Sequence, residues 1–262
     1  MHAKARLPCA LTIAGSDSGG GAGIQADLKT FAALKVHGLS VITCVTAQSP
    51  LAVRGIEPCS AAIVQRQLKT VLQEFRPAAI KTGMLFSASI IRAIAPFFNG
   101  RRGPALVVDP VMVSTSGGAL LQPKARRALC EKLIPYATLL TPNLPEAEAL
   151  TGERITTLGQ LKDAAVQLYA AFGCAILAKG GHLRSEKGAT DVFFDGKHGL
   201  LLSAPFVRGV KTHGTGCTYS AAITAHLARG YSLSESVRKA KRYVTRAIRG
   251  SQLASGYDVL SW

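Results

Sequence analysis

Short runs rich in Val, Ile, Leu and Ala recur along this chain at residues 7–14, 39–46, 78–81, 105–109, 138–140 and 174–179. Longer stretches with helical spacing of apolar residues lie between them, at 24–35, 60–75, 87–98, 123–133, 158–172, 217–227 and 234–253. This alternation constrains the fold more than any other feature. A short apolar run without polar alternation is buried on both faces, which in a sheet means parallel strands covered by helices. Ser60 caps one helix, and Ser232 with Glu235 forms a capping box at the start of the last. Segment 191–203 departs from the pattern, because VFF and GLLLS flank Asp195 and Gly196 as in an antiparallel hairpin. The chain therefore predicts an α/β fold: a mostly parallel central sheet covered by helices on both faces, with a small antiparallel hairpin at an edge. Ligands in such sheets collect at the carboxyl ends of the strands. No repeat, low-complexity stretch or linker divides residues 1–262, which read as a single domain.

Composition narrows the function classes. With 48% hydrophobic and 18% charged residues the chain can bury one sizeable core. The apolar run after the first residues is too short for a secretory signal or a membrane span, so a cytoplasmic protein with no membrane partner is expected. The 6 cysteines are scattered without a C-x-x-C pair, which argues against both a disulfide framework and a zinc site, and five of them are expected to be buried apolar thiols. A net charge of +16 raises the question of nucleic acid. The cations are nevertheless spread along the chain, densest at Arg101 and Arg102, Arg126 and Arg127, and in a helical group at Arg238, Lys239, Lys241, Arg242, Arg246 and Arg249. That group is expected to be a solvated helix face that concentrates anionic substrates, and no nucleic-acid partner is expected.

Three loops carry polar chemistry. Residues 14–31, AGSDSGGGAGIQADLKTF, follow a strand and open a helix, so backbone N–H groups converge on one small cavity. Gly21, Gly23 and Ala26 match the loose G-x-G-x-x-G/A dinucleotide pattern, but the acid required about 20 residues later is missing, since Glu57 is the next carboxylate after Asp27. No G-x-x-x-x-G-K-[ST] occurs either. Residues 212–218, THGTGCT, precede an apolar helix, and Gly214 and Gly216 with the helix N-terminus make an anion hole. Cys217 sits at that helix start, where the dipole is expected to lower its pKa and offer a thiolate; a space-filling buried thiol is the equal alternative. Residues 141–150, TPNLPEAEAL, present Asn143 and Glu146 at another strand end, with Asp109 from a neighbouring strand. These suit Mg²⁺ held through water, although Glu146 also reads as an ordinary acid at a helix start.

GSDSGGGAGIQADLKTF, TAQS, KTGML, VDPVM, TPNLPEAE, AKGGH and HGTGCT occur in this order over nearly the whole chain. Together they resemble the hydroxymethylpyrimidine/phosphomethylpyrimidine kinases. The resemblance implies a ribokinase-like fold, ATP and Mg²⁺, a homodimer, and two successive phosphorylations of 4-amino-5-hydroxymethyl-2-methylpyrimidine on the thiamine pathway. It further implies that the pyrimidine lies against Gly15, Ala22, Met84 and Val111, with Asp27 and Gln48 as polar anchors and the main chain of Thr46 nearby. Lys179 and Asn143 would face the nucleotide, and Glu146 and Asp109 the metal, mainly through water. Gly214, Thr215, Gly216 and Cys217 would form the anion hole, with Cys217 where related sugar kinases carry an Asp base. Family members often read TAQNT and carry an Asn before THGTGCT, where this chain has TAQSP and Lys211. Pyridoxal kinases share the fold, so a pyridoxal-type alcohol is the alternative substrate.

Overall fold

The structure is a computed structural model that describes residues 6–100, 103–112, 121–181, 183, 188–210 and 213–262. Arg101, Arg102, His182, Lys211 and Thr212 lie outside the described residues.

The first half of the chain runs β1 (Cys9–Asp17), α1 (Gly23–Ala33), β2 (His37–Gln48), β3 (Val53–Pro58), α2 (Ala61–Glu74), β4 (Ala79–Thr82), α3 (Ala88–Ile94) and β5 (Ala105–Val108). It continues α4 (Pro123–Lys132), β6 (Leu139–Leu140), α5 (Leu144–Thr151), α6 (Leu158–Phe172), β7 (Ala175–Ala178), β8 (Ala189–Phe194) and β9 (Gly199–Ala204). It closes with α7 (Thr215–Ala228), α8 (Leu233–Arg249) and a separate hairpin of β10 (Gln252–Ala254) and β11 (Tyr257–Val259). The main sheet has the order β3-β2-β1-β4-β5-β6-β7-β8-β9. Strands β2, β1, β4, β5, β6 and β7 are parallel, while β3 at one edge and β8 with β9 at the other are antiparallel.

The apolar runs became strands because both sheet faces are covered. Leu11, Ile13, Ile80, Leu106, Val108 and Ile176 pack under α2 to α6, and Val107, Leu139, Leu177 and Phe193 pack under α7 and α8. All four residues of β4 and of β7 are buried. The expected hairpin of residues 191–203 is β8 and β9, at the sheet edge as anticipated. Three readings change. Strand β3 (VRGIEP), in which only Val53 and Ile56 are half-buried and the rest is exposed, was not anticipated, because an edge strand with no buried residue leaves no apolar pattern to read. The last helix stops at Arg249 and not at 253, since Gly250 ends it and residues 252–259 turn back as a hairpin. Among the cysteines only Cys44 and Cys174 are buried, and the other four keep partial exposure.

Candidate active site

Strand β1 marks the point where the chain changes direction across the sheet: its first crossover leads to β2 on one side, and the later parallel strands follow β4 on the other. A crevice opens at such a switch, at the carboxyl ends of the strands. The ends that meet there carry Gly15 to Asp17 from β1, Thr46 and Gln48 from β2, Met84 after β4, Asp109 after β5, Asn143 after β6 and Lys179 after β7. Helix α7 packs across α1, β1, β4 and β5, which brings its N-terminus over the same crevice.

The two glycine loops touch. Gly214 caps α7 at φ 84°, a left-handed conformation, and a Cβ there would overlap the carbonyl of Gly21. Asp17 organises the first loop: Oδ1 accepts the Gly19 N–H at 2.8 Å, and Oδ2 accepts the N–H groups of Gly21 at 3.1 Å and Ala22 at 2.8 Å. His213 Nε2 stands 3.2 Å from the same Oδ2. Burial opposes ionisation of Asp17, but His213 and these N–H groups outweigh it and hold the carboxyl below its ordinary range. Gln48 joins this cluster, with Nε2 2.8 Å from His213 Nε2 and Oε1 3.2 Å from Thr46 Oγ1.

Beside these polar groups lies a small apolar wall. Cys44 and Met84 are buried together, with Val53, Ile56, Phe86 and Val111 packed against them. A Cβ at Gly15 would come 2.7 Å from Cys44 Sγ, so glycine lets β1 pass close under this wall. Val111 adopts φ 41°, a conformation a β-branched residue takes only when its surroundings impose it, and such strain concentrates at working sites.

The far side of the crevice is charged. Asp109 accepts from Lys179 Nζ at 3.0 Å, Ser220 Oγ at 3.0 Å and Thr141 Oγ1 at 3.2 Å. Burial works against the Lys179 charge, but Asp109 and Glu146 more than restore it and raise its pKa. Asn143 caps α5 in a reciprocal box: its side chain accepts the Glu146 N–H at 2.9 Å, and Glu146 Oε2 accepts the Asn143 N–H at 2.8 Å. Glu146 Oε1 also accepts the Met112 N–H at 3.2 Å. Burial pushes the Glu146 carboxyl up, Lys179 pulls it down and Asp109 adds to the upward push. The two readings of Glu146 are thus compatible, for the helix-start acid faces Asp109 and Lys179 across the crevice.

Three expectations are corrected. Asp27 is wholly buried, with Oδ1 2.7 Å from Lys81 Nζ and Oδ2 accepting from Thr12 Oγ1 at 2.6 Å, so its carboxylate lies under the site and meets protein groups. Burial disfavours the Lys81 charge too, but Asp27 holds that ammonium protonated, helped by Asp109. The Cys217 thiol is pushed up to about 11: burial is the largest cause, Lys81 pulls the other way, and Asp27 and Asp109 add to the rise. The helix-start thiolate expected from the dipole alone is reversed. Lys241 does not belong to a solvated face, since its Nζ is 2.7 Å from buried Asp191 and 2.9 Å from the Ala189 carbonyl. Asp191 in turn accepts the Gly180 N–H at 3.0 Å, which ties α8 to the residue after Lys179.

Sequence reasoning gave no role to Asp17, His213, Lys81 or Ser220. Two of these left a signal: His213 lies inside the THGTGCT loop, and Lys81 is a lone cation in an apolar run.

Comparison with known proteins agrees with this architecture. Residues 17–260 match the family model described as phosphomethylpyrimidine kinase. The chain is 50% identical over 242 residues to the hydroxymethylpyrimidine/phosphomethylpyrimidine kinase of Rhizobium meliloti, covering 91% of this chain and 90% of that one. It is 43% identical over 242 residues to the Bacillus subtilis protein of the same name, at 92% and 89% coverage. Among solved structures, the phosphomethylpyrimidine kinase of Clostridium difficile superposes with a TM-score of 0.81 at 41% identity, covering 93% of this chain and 100% of that one. The ADP complex of Bacillus subtilis pyridoxal kinase gives a TM-score of 0.89 at 37% identity, covering 98% and 97%. A ribokinase-like sheet with two touching glycine loops at its switch point, matched along almost its whole length by these relatives, makes the chain a member of the phosphomethylpyrimidine kinase family.

Proposed function

We propose that this chain uses ATP to phosphorylate 4-amino-5-hydroxymethyl-2-methylpyrimidine to its monophosphate and then to its diphosphate, on the thiamine pathway. The observation that carries the reading is the docking of the α7 N-terminus on the first glycine loop, between an apolar wall on one side and Lys179 with Asp109 on the other.

In this reading Met84, Val111, Gly15 and Ala22 bound the ring, and Gln48 meets its aminopyrimidine edge, an amide having both donors and an acceptor to offer. The backbone N–H groups at Gly214, Thr215, Gly216 and Cys217 face the phosphoryl group in flight, and Lys179 the nucleotide phosphates. The substrate oxygen bonds to the γ-phosphorus as the bond from that phosphorus to the bridging oxygen breaks and ADP leaves; in the first step the hydroxyl proton passes to solvent water, and in the second an ionised phosphate oxygen of the monophosphate is the nucleophile. The transition state is loose, so the chain's work is positioning and charge neutralisation. Asp109 and Glu146 fit a hydrated Mg²⁺, because Asp109 Oδ2 and both Glu146 oxygens each accept one hydrogen bond from the protein and keep a lone pair for a metal-bound water. When bound, the ion would neutralise phosphate charge. A cytoplasmic homodimer accompanies this reading as its expected assembly.

Coupled kinase assays with the hydroxymethylpyrimidine, its monophosphate and pyridoxal in parallel test the proposal. Turnover of both pyrimidines above pyridoxal is the expected result, and preference for pyridoxal would move the chain to the activity named for its Bacillus subtilis structural neighbour. Gln48→Ala should raise KM for the pyrimidine by the loss of a buried hydrogen bond worth about 1–3 kcal/mol, with KM for ATP unchanged. An equal rise in both would remove Gln48 from the pyrimidine pocket.

A further inference from the structure

We infer that His213 sets which end of the Gln48 amide faces which neighbour, and so the order in which that amide offers acceptor and donor to the substrate. His213 is then a specificity-determining residue that acts through Gln48. The inference rests on the reading of Gln48 as the group that meets the pyrimidine.

The hydrogen-bond inventory of the cluster decides the orientation. His213 Nε2 lies within reach of both Asp17 Oδ2, at 3.2 Å, and the Gln48 amide, at 2.8 Å. A carboxylate can only accept, so the contact with Asp17 requires a proton on Nε2. A protonated Nε2 cannot accept from the Gln48 amide nitrogen, and Gln48 must turn Oε1 toward it. The same turn resolves the other end of the amide. Thr46 Oγ1 has a single proton, which it donates to the Ser16 carbonyl at 3.0 Å, leaving it an acceptor toward Gln48 at 3.2 Å. With Oε1 on His213 and Nε2 on Thr46, the one Nε2–H of His213 is shared between Asp17 Oδ2 and Gln48 Oε1, Gln48 Nε2 donates to Thr46 Oγ1, and Thr46 donates to the Ser16 carbonyl, so no contact sets donor against donor or acceptor against acceptor. With the amide the other way round, two contacts pair like with like. Asp17 is itself fixed by the N–H groups of Gly19, Gly21 and Ala22, so the orientation is anchored in the first glycine loop.

The order matters for recognition. An aminopyrimidine edge presents an N–H donor beside a ring-nitrogen acceptor, and one amide orientation complements that order while the other opposes it. A pyridine alcohol presents a different order along its edge, so a fixed amide separates the two substrate classes.

The experiment measures kcat and KM for hydroxymethylpyrimidine and for ATP in wild type, Gln48→Ala, His213→Leu, His213→Gln and the Gln48→Ala/His213→Leu double variant. His213→Leu should raise the pyrimidine KM about tenfold and leave KM for ATP within about twofold. His213→Gln, whose amide nitrogen can donate to both neighbours, should recover most of that loss. On the Gln48→Ala background, His213→Leu should add less than about twofold, because its effect passes through the missing amide. The full His213→Leu penalty on that background, or an equal rise in KM for ATP, would overturn the inference and leave the Gln48 reading intact. A Gln48→Ala enzyme with wild-type pyrimidine KM would instead remove the Gln48 reading itself. Should His213→Leu fail to fold, His213→Asn, too short to span both neighbours, replaces it in the same comparison against His213→Gln.

Discussion

At the residue scale, Cys217 shows how far environment can outweigh position. A helix N-terminus is worth about 0.3–1 kcal/mol to an anion, less than one pK unit. Desolvation shifts a buried group by up to about 3–5 units, and here it prevails, with the thiol pushed up to about 11 although Lys81 draws it down. The free enzyme therefore holds a neutral thiol at physiological pH, and Cys217 contributes its backbone N–H and its shape before any proton moves. Alkylation of the Cys217 peptide by iodoacetamide, followed by mass spectrometry, should accelerate about tenfold per pH unit up to at least pH 9 without a plateau, because the thiolate fraction sets the rate. A rate already level at pH 7 would mean a thiolate and restore the expectation drawn from the dipole.

At the element scale, the site depends on two docking events between segments far apart in the chain. One sets the α7 N-terminus against the first glycine loop, where Gly214 approaches the Gly21 carbonyl without room for a side chain. Gly214→Ala places a Cβ in that contact and forces an L residue to φ 84°, so the loops must part. We expect kcat/KM to fall roughly 10²-fold, the usual worth of a displaced anion-hole donor. The melting temperature should drop by only several degrees, because both sheet cores lie away from the loops. Activity within about threefold of wild type would show that the loops need not touch. The other event is the buried pair of Lys241 with Asp191, which bolts α8 onto the edge hairpin and, through the Gly180 N–H, onto the loop that carries Lys179. In the sequence Lys241 looks like its neighbours Arg238 and Arg242, which the fold leaves exposed; its burial follows from where the helix face meets β8.

At the scale of the whole molecule, pH stability reports on the packing of α7 and α8. His226 is buried near the end of α7, edge-on to Tyr231 at 5.6 Å between ring centroids. Burial, then the nearby charges of Arg229, Lys239 and Arg242, lower its pKa to about 4. The ordinary value is near 6.5, so between those two values the unfolded chain binds a proton that the folded chain refuses. Stability should consequently be lost as pH falls from about 6.5 toward 4. Thermal unfolding of wild type and His226→Gln at pH 7 and pH 5 checks this. The wild-type midpoint should fall further than that of the variant over the interval, and parallel curves would mean that His226 is protonated in the folded state.

The alternation of apolar runs with amphipathic helices determined the class of fold, the parallel direction of the central strands and the edge hairpin, because burial on both faces leaves a local signature in the central strands; the order of the strands across the sheet was decided by tertiary packing. The glycine loops likewise marked themselves, since φ values open mainly to glycine and helix N-termini are written in a few consecutive residues. Strand β3 escaped notice because an edge strand with no buried residue leaves no apolar pattern to read. The fate of each charge was decided only by tertiary contact. Asp27 meets Lys81 across 54 residues, Asp109 meets Lys179 across 70, and His213 meets Asp17 across 196. Whether a carboxylate faces a ligand or a buried ammonium, and whether a thiol ionises, depends on which groups lie within a few ångströms in space; spacing along the chain carries no record of that.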